Sequence, residues 1–263
     1  MLHLTGRYYR TIPHHQAGYV EETIELAKEK TALVVMHCWN IGCADGPAVD
    51  PNYWVGMGFQ ETIQEAERIM RERIRPAMEA ARAAKVLVCH VENHVIASRH
   101  PEALRDADCE EAAAKPPSSP AITTWRAEMG NRCHGERYDT DSPYAKMDRA
   151  AIVAPLPGEP FVFQTAQFHR ALSRHGIENL IYTGFAADMC VLRAPGGIEP
   201  MAGFGYRLFL MRDATLGVEF PDTLSDRIAT RWAVRYFETH YGDTVLCDDF
   251  IQACARAREG DAR

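Results

Sequence analysis

The residue with the clearest capacity for chemistry is Cys190. It closes the stretch NLIYTGFAADMCV (Asn179–Val191), an apolar run that reaches Gly184 and is followed six residues later by the cysteine. A thiol at a helix start, just beyond the carboxyl end of a strand, has backbone N–H dipoles aimed at its sulfur. Such a setting lowers the thiol pKa and makes the sulfur a nucleophile. The bland alternative is a small thiol packed inertly under a helix. A second group of reactive types lies in HVENH, where His90, Glu92 and His94 alternate, so that an extended backbone points all three to one face. Two imidazoles and a carboxylate are a candidate transition-metal set with a position left for water. Polar lining of a loop is the preferred reading of the trio, and no cofactor is expected. Trp39, Trp54 and Tyr53 offer flat walls for a ligand or ordinary core contacts. Asp188 reads first as a helix cap, and Asp213, Glu219 and Asp222 as loop anchors, with Glu219 a further candidate for reaching the pocket.

The elements that must position these groups follow from hydrophobic periodicity. Four apolar runs predict buried parallel strands at Ala32–His37, Lys85–Val91, Asn179–Gly184 and Tyr206–Arg212, with weaker ones at Pro160–Gln164 and Thr244–Cys247. Helical patterns lie between them. Glu61–Ala84 places Ile63, Ala66, Met70 and Ile74 on one stripe, with Pro76 as a kink or break. Further helices are expected over Ala166–His175, from near Asp188, and over Thr223–His240. Strands alternating with helices imply a parallel sheet covered on both faces, whose ligands bind beyond the carboxyl ends of the strands. His37, His90 and Gln164 fall at such ends, and Cys190 follows one closely. The irregular segment His94–Ala151, with PPSSP at Pro116–Pro120, is expected to roof the site. Residues 1–30 read as an N-terminal extension with a short amphipathic helix around Val20–Lys30 that serves subunit packing, and 31–263 as one domain.

The order of these features resembles the isochorismatase-like cysteine hydrolases, which include nicotinamidases and N-carbamoyl amide hydrolases. The resemblance runs from about Ala32 to Thr215. It rests on a first strand leading to Asn40, a long helix, a second strand, the PxxGE segment Pro155–Glu159, then GFAADMCV and GYRLFLMRDAT (Gly205–Thr215). It implies an α/β fold of three αβα layers around a six-stranded parallel sheet, Cys190 as nucleophile, and a cis peptide at Phe185–Ala186. It also implies an oxyanion hole from the backbone N–H groups of Ala186 and Cys190. Two positions depart from the family pattern. Where an Asp usually ends the first strand as general base the chain has His37, and where a Lys usually ends the third it has Gln164. The expectation is that the His37 imidazole accepts the thiol proton and that Gln164 orients it or donates to substrate. Substrate contacts are expected from Trp39, Asn40, Trp54 and His90.

Composition narrows the function classes. Lys and Arg total 29 against 36 Asp and Glu, a net charge of −7 without blocks of like charge, which argues against a nucleic-acid partner. No apolar stretch approaches bilayer length and no secretory h-region opens the chain, so a soluble cytoplasmic protein with reduced thiols is expected, without a membrane partner. The expected activity is hydrolysis of a small amide, carbamoyl or related C–N compound through a thioester. The alternatives are a ligand-binding member that has lost catalysis and a non-covalent isochorismatase-type hydrolase. The resemblance further implies a homodimer or homotetramer.

Overall fold

The computed structural model describes residues 1–48, 60–107, 119–136, 138–141 and 146–261. Its strands are β1 (Leu2–Arg10), β2 (Gly18–Leu26), β3 (Thr31–Met36), β4 (Leu87–Val91), β5 (Phe161–Val162), β6 (Asn179–Phe185), β7 (Arg207–Leu216) and β8 (Gly242–Val245). They form one sheet in the order β2-β1-β8-β7-β6-β3-β4-β5. The six strands from β8 to β5 run parallel. β3 and β6 are buried along their whole length, as near-continuous apolar strands covered on both faces must be.

The helices are α1 (Gln60–Ile69), α2 (Arg75–Ala84), α3 (His94–Ala97), α4 (Pro101–Leu104), α5 (Pro120–His134), α6 (Tyr138–Asp141), α7 (Thr165–Arg174), α8 (Cys190–Arg193), α9 (Ile198–Ala202), α10 (Ile228–His240) and α11 (Cys247–Asp261). Alternation along the strands divides the core in two. Leu33, Val35, Ile181 and Phe209 pack with Met78 of α2 and Phe250 of α11, while Val34, Met36, Tyr182 and Leu210 pack with Phe168 of α7 and Phe237 of α10. The three αβα layers expected from the sequence are therefore present. Pro76 does not break the α1–α2 run. A proline lacks the N–H and crowds the carbonyl four residues back, and the π-helical turn Met70–Ile74 just before α2 takes up that mismatch.

The sheet has eight strands rather than six, and the difference lies at the N-terminus. The helix expected around Val20–Lys30 is instead strand β2, which pairs antiparallel with β1 over Leu2↔Leu26 to Arg10↔Gly18. Leu2, Leu4, Ile24 and Leu26 turn into the core. The hairpin extends the sheet at the Arg7↔Thr244 pairing. Its attachment is fixed by Glu238, whose Oε1 accepts from Arg7 Nε at 2.8 Å and Thr244 Oγ1 at 2.6 Å. No helix among the described residues is long and apolar enough to cross a membrane.

Candidate active site

The carboxyl ends of β3, β4 and β6 meet at one place because β3 lies between the other two, with Met36 paired to Val91 on one side and to Gly184 on the other. Gly184 makes the second approach close. It has φ +110°, and a Cβ there would lie 1.9 Å from the Met36 carbonyl oxygen, so a side chain at this position would force the strands apart. The Phe185–Ala186 peptide that follows is cis, at the bond the family resemblance implied. The Ala186 carbonyl then accepts from the N–H groups of Met189 and Val191 at 3.1 and 3.0 Å. This turns the chain back on itself and starts α8 at Cys190. Asp188 holds the turn from outside, accepting the Val218 N–H at 2.8 Å.

Cys190 is partly exposed. Its electrostatics differ from the sequence expectation. Burial raises the thiol pKa, the negative charges of Asp188 and Glu92 raise it further, and the Ala186 backbone amide lying against the sulfur pulls the other way. The expected lowering fails because α8 is only four residues long, so few aligned peptide dipoles reach the sulfur. The resting group is a thiol.

His37 stands at the end of β3, as read, with a left-handed backbone (φ 48°) and its N–H bonded to the Val91 carbonyl at 3.0 Å. Its ring stacks on Trp39 at 5.2 Å between centroids and 23° between planes. Burial takes its pKa down to about 4, against an opposing pull from the Glu92 backbone, and neither ring nitrogen completes a hydrogen bond. Proton transfer costs about 1.4 kcal/mol for each pKa unit separating donor and acceptor. An imidazole near 4 is thus a poor proton acceptor for a thiol held above its ordinary 9.0. Gln164 caps α7 at the end of β5, on the sheet edge, separated from β3 by β4.

The remaining expected contacts are distributed differently. Asn40 spends its amide on the backbone: Nδ2 donates to the Asp45 carbonyl at 3.0 Å and Oδ1 accepts the Asp148 N–H at 2.9 Å. It thereby pins the far end of the expected roof, residues 147–150, against the loop after β3, with Ala150 N bonded to the Cys38 carbonyl at 2.9 Å. His90 is buried and bonded through Nε2 to Glu159 at 3.1 Å. Trp54 and Tyr53 lie outside the described residues. His90, Glu92 and His94 do not gather as a metal set, and no group of three such residues does so among the described ones. His90 and Glu92 leave β4 on one face as expected, but distant partners claim them separately, and His94 packs edge-on against Phe163 in α3. Glu219 accepts the Thr230 and Ala229 N–H groups at the start of α10, and Asp213 accepts the Cys247 N–H, so both anchor loops.

Two further groups belong to the site: Glu92, which the sequence offered only as part of a metal set, and Arg149, which it did not single out. Glu92, one residue beyond β4, is 2% exposed, and its Oε2 accepts from Trp39 Nε1 at 2.9 Å. Burial pushes its pKa up to about 8, although the Trp39 N–H and the Arg149 guanidinium favour the charge. Arg149 arrives on the pinned segment 147–150, bridging to Trp39 through its backbone. Its guanidinium covers the Phe161 ring at 4.3 Å, and its buried Nη1 has no hydrogen-bond partner. A cavity of about 510 Å³ also lies along the β5 edge, lined by Glu102, Arg105, Pro157 and Arg174 among others, away from Cys190.

The chain is similar over nearly its whole length to two amidohydrolases. It is 28% identical to the ureidoacrylate amidohydrolase RutB of Azorhizobium caulinodans, covering 89% of this chain and 95% of that one. With the ureidoacrylate amidohydrolase RutB of Stutzerimonas stutzeri the identity is 27%, covering 90% and 88%. Among solved structures, a cysteine hydrolase from Pseudomonas syringae shares the fold at TM-score 0.54 and 14% identity, over 88% of this chain and 95% of that one. An isochorismatase family protein from Burkholderia thailandensis does so at TM-score 0.50 and 17% identity, over 88% and 99%. No family model matches the sequence.

Proposed function

We propose that this chain, a divergent member of the isochorismatase-like family, is a cysteine-dependent hydrolase that cleaves the C–N bond of a small amide or carbamoyl compound. The observation that carries the reading is the placement of Cys190: a partly exposed thiol on a tight turn beyond the central strands, with the Ala186 backbone amide against its sulfur. Similarity to two ureidoacrylate amidohydrolases over about nine tenths of the chain supports a ureido acid as the substrate type.

In this reading the sulfur attacks the carbonyl carbon and the thiol proton leaves to a nearby base. The N–H groups of Ala186 and Cys190 hold the oxyanion, where a single well-aimed donor contributes about 3 kcal/mol to the transition state. The C–N bond then breaks, the leaving nitrogen takes a proton, and a thioester remains on Cys190. Water attacks that thioester and the thiol is regenerated. Trp39, partly exposed beside the site, forms a wall, and Gln164 contacts substrate from the strand edge.

The test is kinetic. Cys190→Ala is expected to lower kcat/KM on 3-ureidoacrylate or N-carbamoylglycine by roughly a thousandfold or more, with an unchanged circular-dichroism spectrum. Turnover equal to the unmodified protein would reject the nucleophile.

A further inference from the structure

We propose that Glu92, rather than His37, accepts the thiol proton of Cys190, held for that task by the indole N–H of Trp39 and the guanidinium of Arg149. The proposal rests on the hydrolase reading above and assigns the base that the family's missing aspartate leaves open.

Three placements support it. Glu92 follows β4, the neighbour of β3, which in turn borders the strand leading to Cys190, and its charge is felt at that thiol. Its carboxyl is buried and receives the Trp39 indole N–H at 2.9 Å and the Asn93 backbone N–H, and a carboxylate has acceptor sites beyond these two. Arg149 supplies positive charge with a buried Nη1 that no other group engages. The groups facing Glu92 are Trp39, Cys38 and His37 from the end of β3, Asp148 and Arg149 from the pinned segment, and Cys190. Of the acceptors among them, Glu92 at about 8 stands much closer to a thiol of ordinary value 9.0 or above than His37 at about 4. Efficient proton transfer needs such a match.

The step balances as follows. The S–H bond breaks and its electron pair forms the S–C bond to the carbonyl, while the proton moves to a carboxylate oxygen of Glu92. When the C–N bond breaks, the Glu92 carboxyl returns that proton to the leaving nitrogen. In the second half the attacking water gives its proton to Glu92, the S–C bond breaks, and the proton passes to the departing sulfur.

The experiment needs no knowledge of the substrate. The rate at which iodoacetamide labels Cys190 is followed from pH 5 to 10 by peptide mass spectrometry in the unmodified protein, Glu92→Gln and His37→Asn. The expected profile of the unmodified protein rises through an inflection near pH 8. Glu92→Gln is expected to label at least about tenfold more slowly at pH 8.5, and His37→Asn to keep the inflection. A merely electrostatic neighbour has the opposite signature, since removing its negative charge lowers the thiol pKa and speeds labelling. Faster or unchanged labelling in Glu92→Gln, or loss of the inflection in His37→Asn, overturns the proposal. If Glu92→Gln does not fold, Trp39→Phe serves: losing the donor raises the carboxyl pKa and shifts the inflection upward, and an unmoved inflection rejects the assignment. Failure of the hydrolase reading is seen separately, as turnover that survives Cys190→Ala.

Discussion

Glu159 and Glu92 lie two residues apart in their reach along one face of β4, through His90 and directly, and the protein shifts their proton affinities in opposite directions. Glu159 receives Arg82 Nε at 2.7 Å, Arg82 Nη2 at 2.8 Å, the Leu156 N–H at 2.8 Å and His90 Nε2 at 3.1 Å. Burial acts to raise its pKa, but these donors outweigh burial and hold it at about 2. Glu92 receives the Trp39 indole N–H and the Asn93 backbone N–H, and burial drives it to about 8. Fuller burial together with fewer donors separates a carboxylate able to exchange a proton near neutrality from one that fastens the fold. Glu159 joins α2, β4 and the Pro155–Glu159 segment, while Glu92 joins the end of β4 to Trp39 in the loop after β3.

The comparison breaks most visibly in activity. Glu92→Gln is expected to reduce kcat on a ureido acid by roughly a hundredfold or more, whereas Glu159→Gln leaves kcat of the folded fraction within about threefold. Steady-state rates, normalised to Cys190 accessible to alkylation, decide this.

Stability should show the reverse pattern, with pH dependences of opposite sign. The folded-state pKa of Glu92 is raised, so its contribution is complete below the unfolded value near 4.5 and is lost as pH rises through about 8. Urea unfolding should therefore find Glu92→Gln near the parent at pH 5 and more stable by several kcal/mol, on the order of 3–5, at pH 9. The folded-state pKa of Glu159 is depressed, so its contribution is present above about 4.5 and lost as pH falls through about 2. Glu159→Gln should cost about 2–4 kcal/mol at pH 7, because it strips a half-buried guanidinium of its partner. That deficit should shrink at acid pH.

Smaller effects sharpen the same contrast. Asn40→Ala is expected to cost about 1–2 kcal/mol by freeing the Asp148 N–H, and to lower kcat modestly because the segment carrying Arg149 loosens. Arg75→Ala, which removes an exposed pair with Glu79, should change stability by less than about 0.5 kcal/mol and leave activity unaltered.

The division between what the residues announced and what they concealed has a physical basis. Buried parallel strands such as LVVM and LIYTGF are declared by local composition, and Gly184 and Cys190 by their spacing, so the central sheet and the turn that carries Cys190 could be read directly. The N-terminal hairpin could not. Val20 and Ile24 are four apart and fit a helical stripe as well as alternate positions on a strand. Pairing with β1, a partner in the tertiary structure, decides between the two. His37 and Gln164 stand where the strand ends were placed, yet the burial that takes the imidazole to about 4 is a property of packing. Glu92 was visible only as one of three alternating polar residues. Its raised proton affinity comes from burial, opposed by Trp39 and Arg149, and that burial is made by groups that converge from distant parts of the chain.

The most direct test of the central claim is to trap the intermediate. The protein is mixed with a slowly released carbamoyl or acyl amide, quenched in acid within the first turnover, digested and analysed by mass spectrometry. The account predicts one acyl or carbamoyl mass increment on the peptide that carries Cys190, absent from Cys190→Ala, which also fails to turn over. Product formation with no adduct on that peptide, continuing in Cys190→Ala, would contradict it.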